Sequence, residues 1–424
     1  MMEEVYMELT VVELFAGVGG FRVGLNDIKS FDVNDKAIEN RNWKFVWANQ
    51  FEPSTKTQPA YNCYCTRFGE EHASNTDIQE EVAHLDENAD YIPNHSLLVG
   101  GFPCQDYSVA RSLSGEKGIE GKKGVLFWSI AKILHVKKPP FVLLENVDRL
   151  LKSPSKQRGR DFGIMLRTFN DEGYDVEWRV INAAEYGARQ RRRRTFIFAW
   201  RKDTKYANEL SDVKIEDIIA KEGLFAKQFP INLIDTPIRT YDVTYYEDTV
   251  EMTEKFHANF ENTGCMVNGE VVTFKTEPQF KEPIPLKDTL LHNVDKKFYL
   301  NDKQKKKFEY LKGSKRITRT NAEGFTYNFS EGKIAYPENI DLPSRTMLTS
   351  EGTVNRSSHV VADLDTGEKR IITPVEAERL QHFPDNWTNT GMTDRQRYFM
   401  MGNALVTFII NTLEPRLEEI IKAE

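Results

Sequence analysis

Three short stretches of this chain carry side chains suited to covalent chemistry on a bound ligand. The first is Gly100-Gly101-Phe102-Pro103-Cys104-Gln105, directly after the apolar run Ser96-Leu97-Leu98-Val99. Two glycines end a short strand, the proline stiffens the turn, and Cys104 is delivered to a loop tip. A thiol held there is a candidate nucleophile; its ordinary alternative is a small buried cysteine that only packs. The second is Glu145, which ends the apolar strand Phe141-Val142-Leu143-Leu144. A carboxyl at a strand terminus can move a proton, or be a satisfied surface charge. The third is Arg189-Gln190-Arg191-Arg192-Arg193-Arg194, five arginines in six residues. Its alternation suits a strand start, with successive side chains on opposite faces.

A fourth stretch is shaped to hold a ligand. Val11-Val12-Glu13-Leu14-Phe15 reads as a strand running into the turn Ala16-Gly17-Val18-Gly19-Gly20-Phe21, then a helix. Glycines let the backbone approach a ligand closely. A dinucleotide fingerprint fails, because its third glycine position is Arg22. Acidic Glu13 before the turn makes a pyrophosphate a poor guest. A cationic or neutral nucleoside cofactor fits better.

These groups need a frame, and residues 8–200 supply one. Strand-like Leu9–Phe15, Phe45–Ala48, Leu97–Val99, Phe141–Leu144, Glu177–Ile181 and Thr195–Trp200 alternate with helix-like segments such as Val125–Val136 and Asp161–Asn170. That pattern predicts an α/β fold, a doubly wound and mostly parallel sheet, with ligands at the carboxyl ends of its strands. Residues 203–342 lose the alternation and read as a second, smaller irregular domain, with a boundary near Arg201–Lys205. Order resumes in the last 80 residues. Thr373, Pro374 and Glu376 form a capping box at a helix start, and Val406–Ile421 reads as an amphipathic helix.

Bulk properties set the limits. The chain has 424 residues, 40% hydrophobic and 29% charged, enough for a large core. No apolar run is long enough to span a bilayer, and the start, Met1-Met2-Glu3-Glu4-Val5, lacks a signal-peptide pattern. A cytoplasmic protein with no membrane partner is expected. Cys63, Cys65, Cys104 and Cys265 fit neither a disulfide framework nor a zinc site, so no metal is implied. The net charge of −7 argues against nucleic acid only until its distribution is considered. Basic clusters lie at Arg189–Arg194, at Lys152, Lys156, Arg158 and Arg160, and along Lys303–Arg319.

The glycine turn, the Pro103-Cys104-Gln105 loop, Glu145-Asn146-Val147, Gln190-Arg191-Arg192-Arg193-Arg194 and Met401-Gly402-Asn403 stand in the order found in the cytosine-C5 DNA methyltransferases. The chain resembles a bacterial, restriction–modification type of member, with the matches covering residues 9–200 and 343–420. The resemblance implies the S-adenosyl-methionine-dependent methyltransferase fold and sequence-specific methylation of double-stranded DNA. It divides the chain into a catalytic and cofactor-binding domain (1–202), a target-recognition domain (203–342), a hinge and return segment (343–400) and a C-terminal helix (401–424) that completes the catalytic domain.

The same resemblance assigns roles. Cys104 adds to carbon 6 of a flipped cytosine, turning carbon 5 into a nucleophile. Glu145 assists at N3, and Arg192 and Arg194 meet the base and its O2 edge. S-adenosyl-L-methionine is the methyl donor. Phe15, Val18 and Gly19 line its site, Phe51 stacks on adenine, and Asp77, with Ile78, accepts from the adenine amino group. Pro103, Leu126, Asn403 and Ala404 complete the pocket. The family usually places glutamate where this chain has Gln50; Glu52 is the alternative ribose ligand. The loop after Cys104, with Gly115, Gly118, Gly121, Gly124, Lys117, Lys122 and Lys123, suits closure over DNA. Arg345-Thr346 matches the motif that supports the recognition domain, whose character resembles that of members methylating GATC. A monomer is expected, with a restriction endonuclease of the same site as a possible companion.

Two other classes were weighed. A catalytically dead DNA-binding regulator on the same fold is opposed by the intact Cys104 and Glu145. A transfer-RNA cytosine methyltransferase has a compact recognition region with a Cys-Phe-Thr motif, which this chain lacks.

Overall fold

The computed structural model describes residues 7–102, 126–320 and 324–424. Its centre is a ten-stranded sheet. The first seven strands are β1 (Thr10–Leu14), β2 (Lys44–Asn49), β3 (Ala73–Ser74), β4 (Leu97–Gly101), β5 (Phe141–Val147), β6 (Tyr174–Asn182) and β7 (Arg193–Arg201). They lie in the order β3-β2-β1-β4-β5-β7-β6. β1 to β5 are parallel, while β7 runs antiparallel between β5 and β6. The chain winds outward from β1 to β3, then returns to lay β4 on the other side of β1. The reversal puts the switch point of the sheet between β1 and β4, and open sheets of this kind take ligands at the carboxyl ends beside that point.

The central strands are buried on both faces, as parallel strands covered by helices must be. Alternation then sorts each side chain to one of two cores. Val11, Leu97, Val99, Phe141, Leu143, Phe198 and Trp200 face one core, closed by Phe21 and Leu25 of α1 (Gly20–Leu25) and by the C-terminal helix Thr407–Lys422. Val12, Leu14, Leu98, Val142, Leu144 and Ile197 face the other. That side is covered by α3 (Ile78–Ala83), α4 (Leu126–Lys137) and α5 (Arg160–Asp171), while α2 (Pro59–Phe68) packs into a third core.

All six strands expected from the sequence lie in this sheet. The expected break at 202 differs from what is observed. Thr263–Val267, Glu270–Phe274 and Arg239–Asp242 extend the sheet antiparallel beyond β6. Tyr206, Ile218, Leu224 and Phe225 lie in the first core, and Met252, Phe256 and Phe260 in the second. The strand–helix alternation stops because antiparallel strands need no crossover helix, not because the sheet stops.

The segment leaving the sheet runs from about 276 to 342. It holds the lysine-rich helix Asp302–Lys312 and a separate hairpin, Lys315–Thr320 paired with Thr326–Glu331. The return segment then packs on α1 and α2 through a third core that includes Val18, Val23, Cys63, Met347, Trp387 and Met401. Buried charges there are paired: Arg370 bonds Asp363 and Glu376, and Arg397 bonds Glu378. The capping box of Thr373 and Glu376 is present.

Candidate active site

Glu145 sits on β5 opposite Gly101 of β4 and Phe196 of β7. Parallel pairing therefore brings its carboxyl beside the strand end that leads to Pro103 and Cys104. A Cβ on Gly101 would lie 3.2 Å from Glu145 Oε2, so the glycine makes room for that carboxylate. Pro103 and Cys104, with the loop 104–124, lie outside the described residues. What precedes them is fixed: buried Asn146 donates from Nδ2 to the Phe102 carbonyl at 2.8 Å. Sequence reasoning gave Asn146 no role. An asparagine inside an apolar strand was the available signal, since a buried amide requires a partner.

Arg194 Nε lies 2.9 Å from Glu145 Oε1, with both side chains mostly buried. Burial pushes the Glu145 carboxyl above the usual carboxylate range, against the pull of the Arg194 and Arg192 charges. The result is a carboxyl that holds a proton more readily than a surface glutamate, aligned by a guanidinium.

Arg192 is placed differently. It is 2% exposed, and its terminal nitrogens donate to the carbonyls of Met347 at 3.0 Å and Gly402 at 2.9 Å. Burial lowers its guanidinium to about 9, helped by the Arg194 charge and opposed by Glu145. It ties β7 to the return segment and to Met401-Gly402-Asn403. Gln190 is also buried and accepts from the Met347 amide at 2.9 Å. Arg191 and Arg193 face out, as the alternation requires.

The cofactor candidates gather around the neighbouring strand ends. Phe15 adopts φ 54°, and Gly17 and Gly19 also have positive φ. Gly19 is required twice over, since a Cβ there would come within 2.5 Å of the Phe68 ring. A Cβ at Gly17 would meet nothing within 4 Å among the described residues. The Val18 side chain is buried in the third core, and its carbonyl accepts from Trp387 Nε1 at 2.9 Å; only its backbone faces the turn. Gln50, after β2, accepts from the Gly17 amide through Oε1 at 2.7 Å. Glu52 Oε2 instead accepts from the Ala60 amide at the start of α2, at 3.0 Å. Phe51 is 37% exposed. Asp77 caps α3 through the Gln79 amide at 2.9 Å, and Ile78 behind it is buried. Leu126 opens α4, half-buried. Asn403 ends the helix Asp394–Asn403 and is exposed, and Ala404 follows it.

Below the turn lies a group the sequence reading treated only as a charge. Glu13 is fully buried; it accepts from the Tyr64 hydroxyl at 3.3 Å on Oε2, and among the described residues its Oε1 makes no hydrogen bond of good geometry. Burial raises it to about 8, against Arg22 and Tyr64.

A doubly wound α/β sheet with a buried carboxyl–arginine pair and a glycine turn at the carboxyl ends of its strands places the chain in the class of open α/β sheets that take ligands at that edge. Comparison with known proteins narrows it. The model of the C-5 cytosine-specific DNA methylase family matches residues 9–419. Type II methyltransferase M.Sau3AI of Staphylococcus aureus is 48% identical over 419 residues, covering 97% of this chain and 96% of that protein. M1.ScrFI of Lactococcus lactis subsp. cremoris is 26% identical over 97% of this chain and 78% of its own. Among solved structures, the S. pombe Dnmt2 methyltransferase superposes with a TM-score of 0.57 at 16% identity, covering 97% of this chain and 99% of its own. The Entamoeba histolytica methyltransferase EhMeth gives 0.53 at 15%, over 97% and 98%. The chain belongs to the C-5 cytosine-specific DNA methylase family.

Proposed function

We propose that this DNA cytosine-5 methyltransferase works by covalent addition of Cys104 to a flipped cytosine, with S-adenosyl-L-methionine as donor and GATC as target. The observation that carries the reading is the Arg194–Glu145 pair, held one strand away from the chain leading to Cys104. The Cys104 thiolate forms a bond to carbon 6 of the base. The displaced electron pair moves toward N3, where Glu145 supplies a proton, and carbon 5 becomes nucleophilic. Bound S-adenosyl-L-methionine supplies an electrophilic methyl group to that carbon. Loss of the carbon-5 proton to water then expels the thiolate, and N3 returns its proton to Glu145 as the ring is restored. Arg194 orients Glu145 and offers its remaining donors to the O2 edge.

The residues around the glycine turn suit this donor. Phe51 presents an exposed ring for adenine, and Gly17 leaves space among the described residues. Asp77 keeps one carboxylate oxygen beyond its cap bond for the adenine amino group. Gln50, whose oxygen already accepts from Gly17, meets the ribose through its Nε2 donor; Glu52 is engaged at the start of α2. Phe15, the Val18 backbone, Gly19, Ile78, Pro103, Leu126, Asn403 and Ala404 form the rest of the pocket. GATC is supported by the character of 203–342 and by an alignment with M.Sau3AI that runs through this segment. A companion endonuclease of the same specificity belongs to this reading, as does a monomer.

Cys104→Ala is expected to abolish methylation while DNA binding persists, measured by methyl incorporation and gel shift on the same duplex. Full methylation by that variant would sink the mechanism.

A further inference from the structure

The hairpin Lys315–Thr320/Thr326–Glu331 is unlike the rest of the molecule. Among the described residues it pairs with no other strand, and most of its residues are exposed. Its register separates two faces. Lys315, Ile317 and Arg319 stand opposite Glu331, Phe329 and Tyr327. That face supports itself: the Arg319 guanidinium lies 3.7 Å from the Phe329 ring centroid. The other face carries Arg316, Thr318 and Thr320 opposite Ser330, Asn328 and Thr326. Every one of these is exposed, short or hydrogen-bonding, and none is acidic. Exposed hairpins normally carry mixed charges on a solvent face. An arginine followed by hydroxyls and an amide, with no apolar residue, is a row of donors and acceptors.

We propose that this hairpin enters the major groove of double-stranded DNA and that Arg316, Thr318 and Asn328 read base edges of the target site. The proposal rests on the DNA methyltransferase reading above and names the recognition element within 203–342. A two-stranded ribbon fits the major groove, where arginine pairs with guanine and asparagine with adenine. Thr318 Oγ1 donates to Asn328 Oδ1 at 3.2 Å, which fixes the amide and leaves its NH2 group outward.

The base of the hairpin is anchored toward the active site. Buried Lys312 donates to the Ser358 carbonyl at 2.6 Å and pairs with Glu338 at 3.4 Å. Arg345 holds the same Glu338 at 2.6 Å, and Arg356 donates to the Leu311 carbonyl at 2.6 Å. Ser344, next to Arg345, exchanges backbone hydrogen bonds with Arg189 and Arg191 at 2.9 and 2.8 Å. The ribbon is thus fastened, through a short series of bonds, to the strand that carries Arg194.

The test is site-preference profiling. Wild-type protein, Arg316→Ala, Thr318→Ala and Asn328→Ala are each given a duplex library randomised around cytosine, and methylated positions are read by sequencing. Each variant is expected to relax the preference at one base pair by about 5- to 150-fold, the worth of one good base contact. Unchanged preference overturns the proposal, whether the rate is normal or uniformly lower, because a uniform loss marks a phosphate contact or a folding defect. Thermal melting identifies any misfolded variant, and the remaining two then decide. If wild-type protein methylates no duplex, the functional reading fails, and with it the proposal's premise.

Discussion

In the proposed mechanism Glu145 carries a proton to N3. Burial raises its pKa, so the protonated fraction at neutral pH exceeds that of a surface glutamate. The methylation rate is therefore expected to fall as pH rises through the Glu145 value. Arg194 pulls that value down, so Arg194→Ala moves the alkaline limb to higher pH while lowering the rate. A pH profile of single-turnover methylation checks both; an unmoved limb would detach Glu145 from the proton. Glu145→Gln is expected to lose about 10²- to 10⁴-fold, the usual weight of a general acid. Glu13 gives a second pH effect, on stability. Its pKa is about 8 when folded and 4.5 in its ordinary state, so the folded protein binds the extra proton between those values. Stability from this group is fully present below 4.5 and lost as pH rises toward 8. Glu13→Gln is expected to remove a slope of about 1.4 kcal/mol per pH unit in that window, read as denaturant midpoints at several pH values.

At the scale of elements, the start of β7 carries two jobs on alternating residues. Arg194 pairs with Glu145, while Arg192 and Gln190 hold the return segment. Arg192→Ala strips two buried carbonyls of their donor, at about 1–3 kcal/mol for each. Thermal melting is expected to show that loss, with only partial recovery in Arg192→Lys, because one ammonium cannot reproduce the fork. Arg194→Ala is expected to spare stability relative to Arg192→Ala. The five-arginine run was legible as a strand start, but not which arginine is a brace, because that depends on Met347 and Gly402, more than 150 residues away in sequence. The parallel core was legible from Leu97–Val99 and Phe141–Leu144, whose apolar runs admit little else. Arg239–Asp242 and Thr263–Val267 were not. They are short, and Arg239–Asp242 alternates half-buried with exposed residues; Thr263–Val267 gains its strand state by pairing with β6, and Arg239–Asp242 by pairing with Glu270–Phe274.

Over the whole molecule, the chain ends where it began. The C-terminal helix closes the core over α1, with Ile410 so close that a Cβ on Gly24 would lie within 2.5 Å of it. Met401 and Gly402 are tied by Gln381 and Arg192, which fixes the helix end that carries Asn403. A net charge of −7 coexists with exposed lysines on Asp302–Lys312 and the arginine hairpin beyond it. DNA affinity is expected to fall steeply with salt, with a log–log slope of about −0.9 for each phosphate neutralised. A flat salt response would contradict a basic recognition surface. No helix among the described residues is long and apolar enough to cross a membrane. The central claim is tested most directly by bisulfite sequencing of DNA from cells expressing the wild-type protein beside Cys104→Ala. C5-methylcytosine at one short sequence context, GATC, in the first sample and none in the second is the expected result. An absence of C5 methylation in the wild-type sample, or its persistence without Cys104, would contradict it.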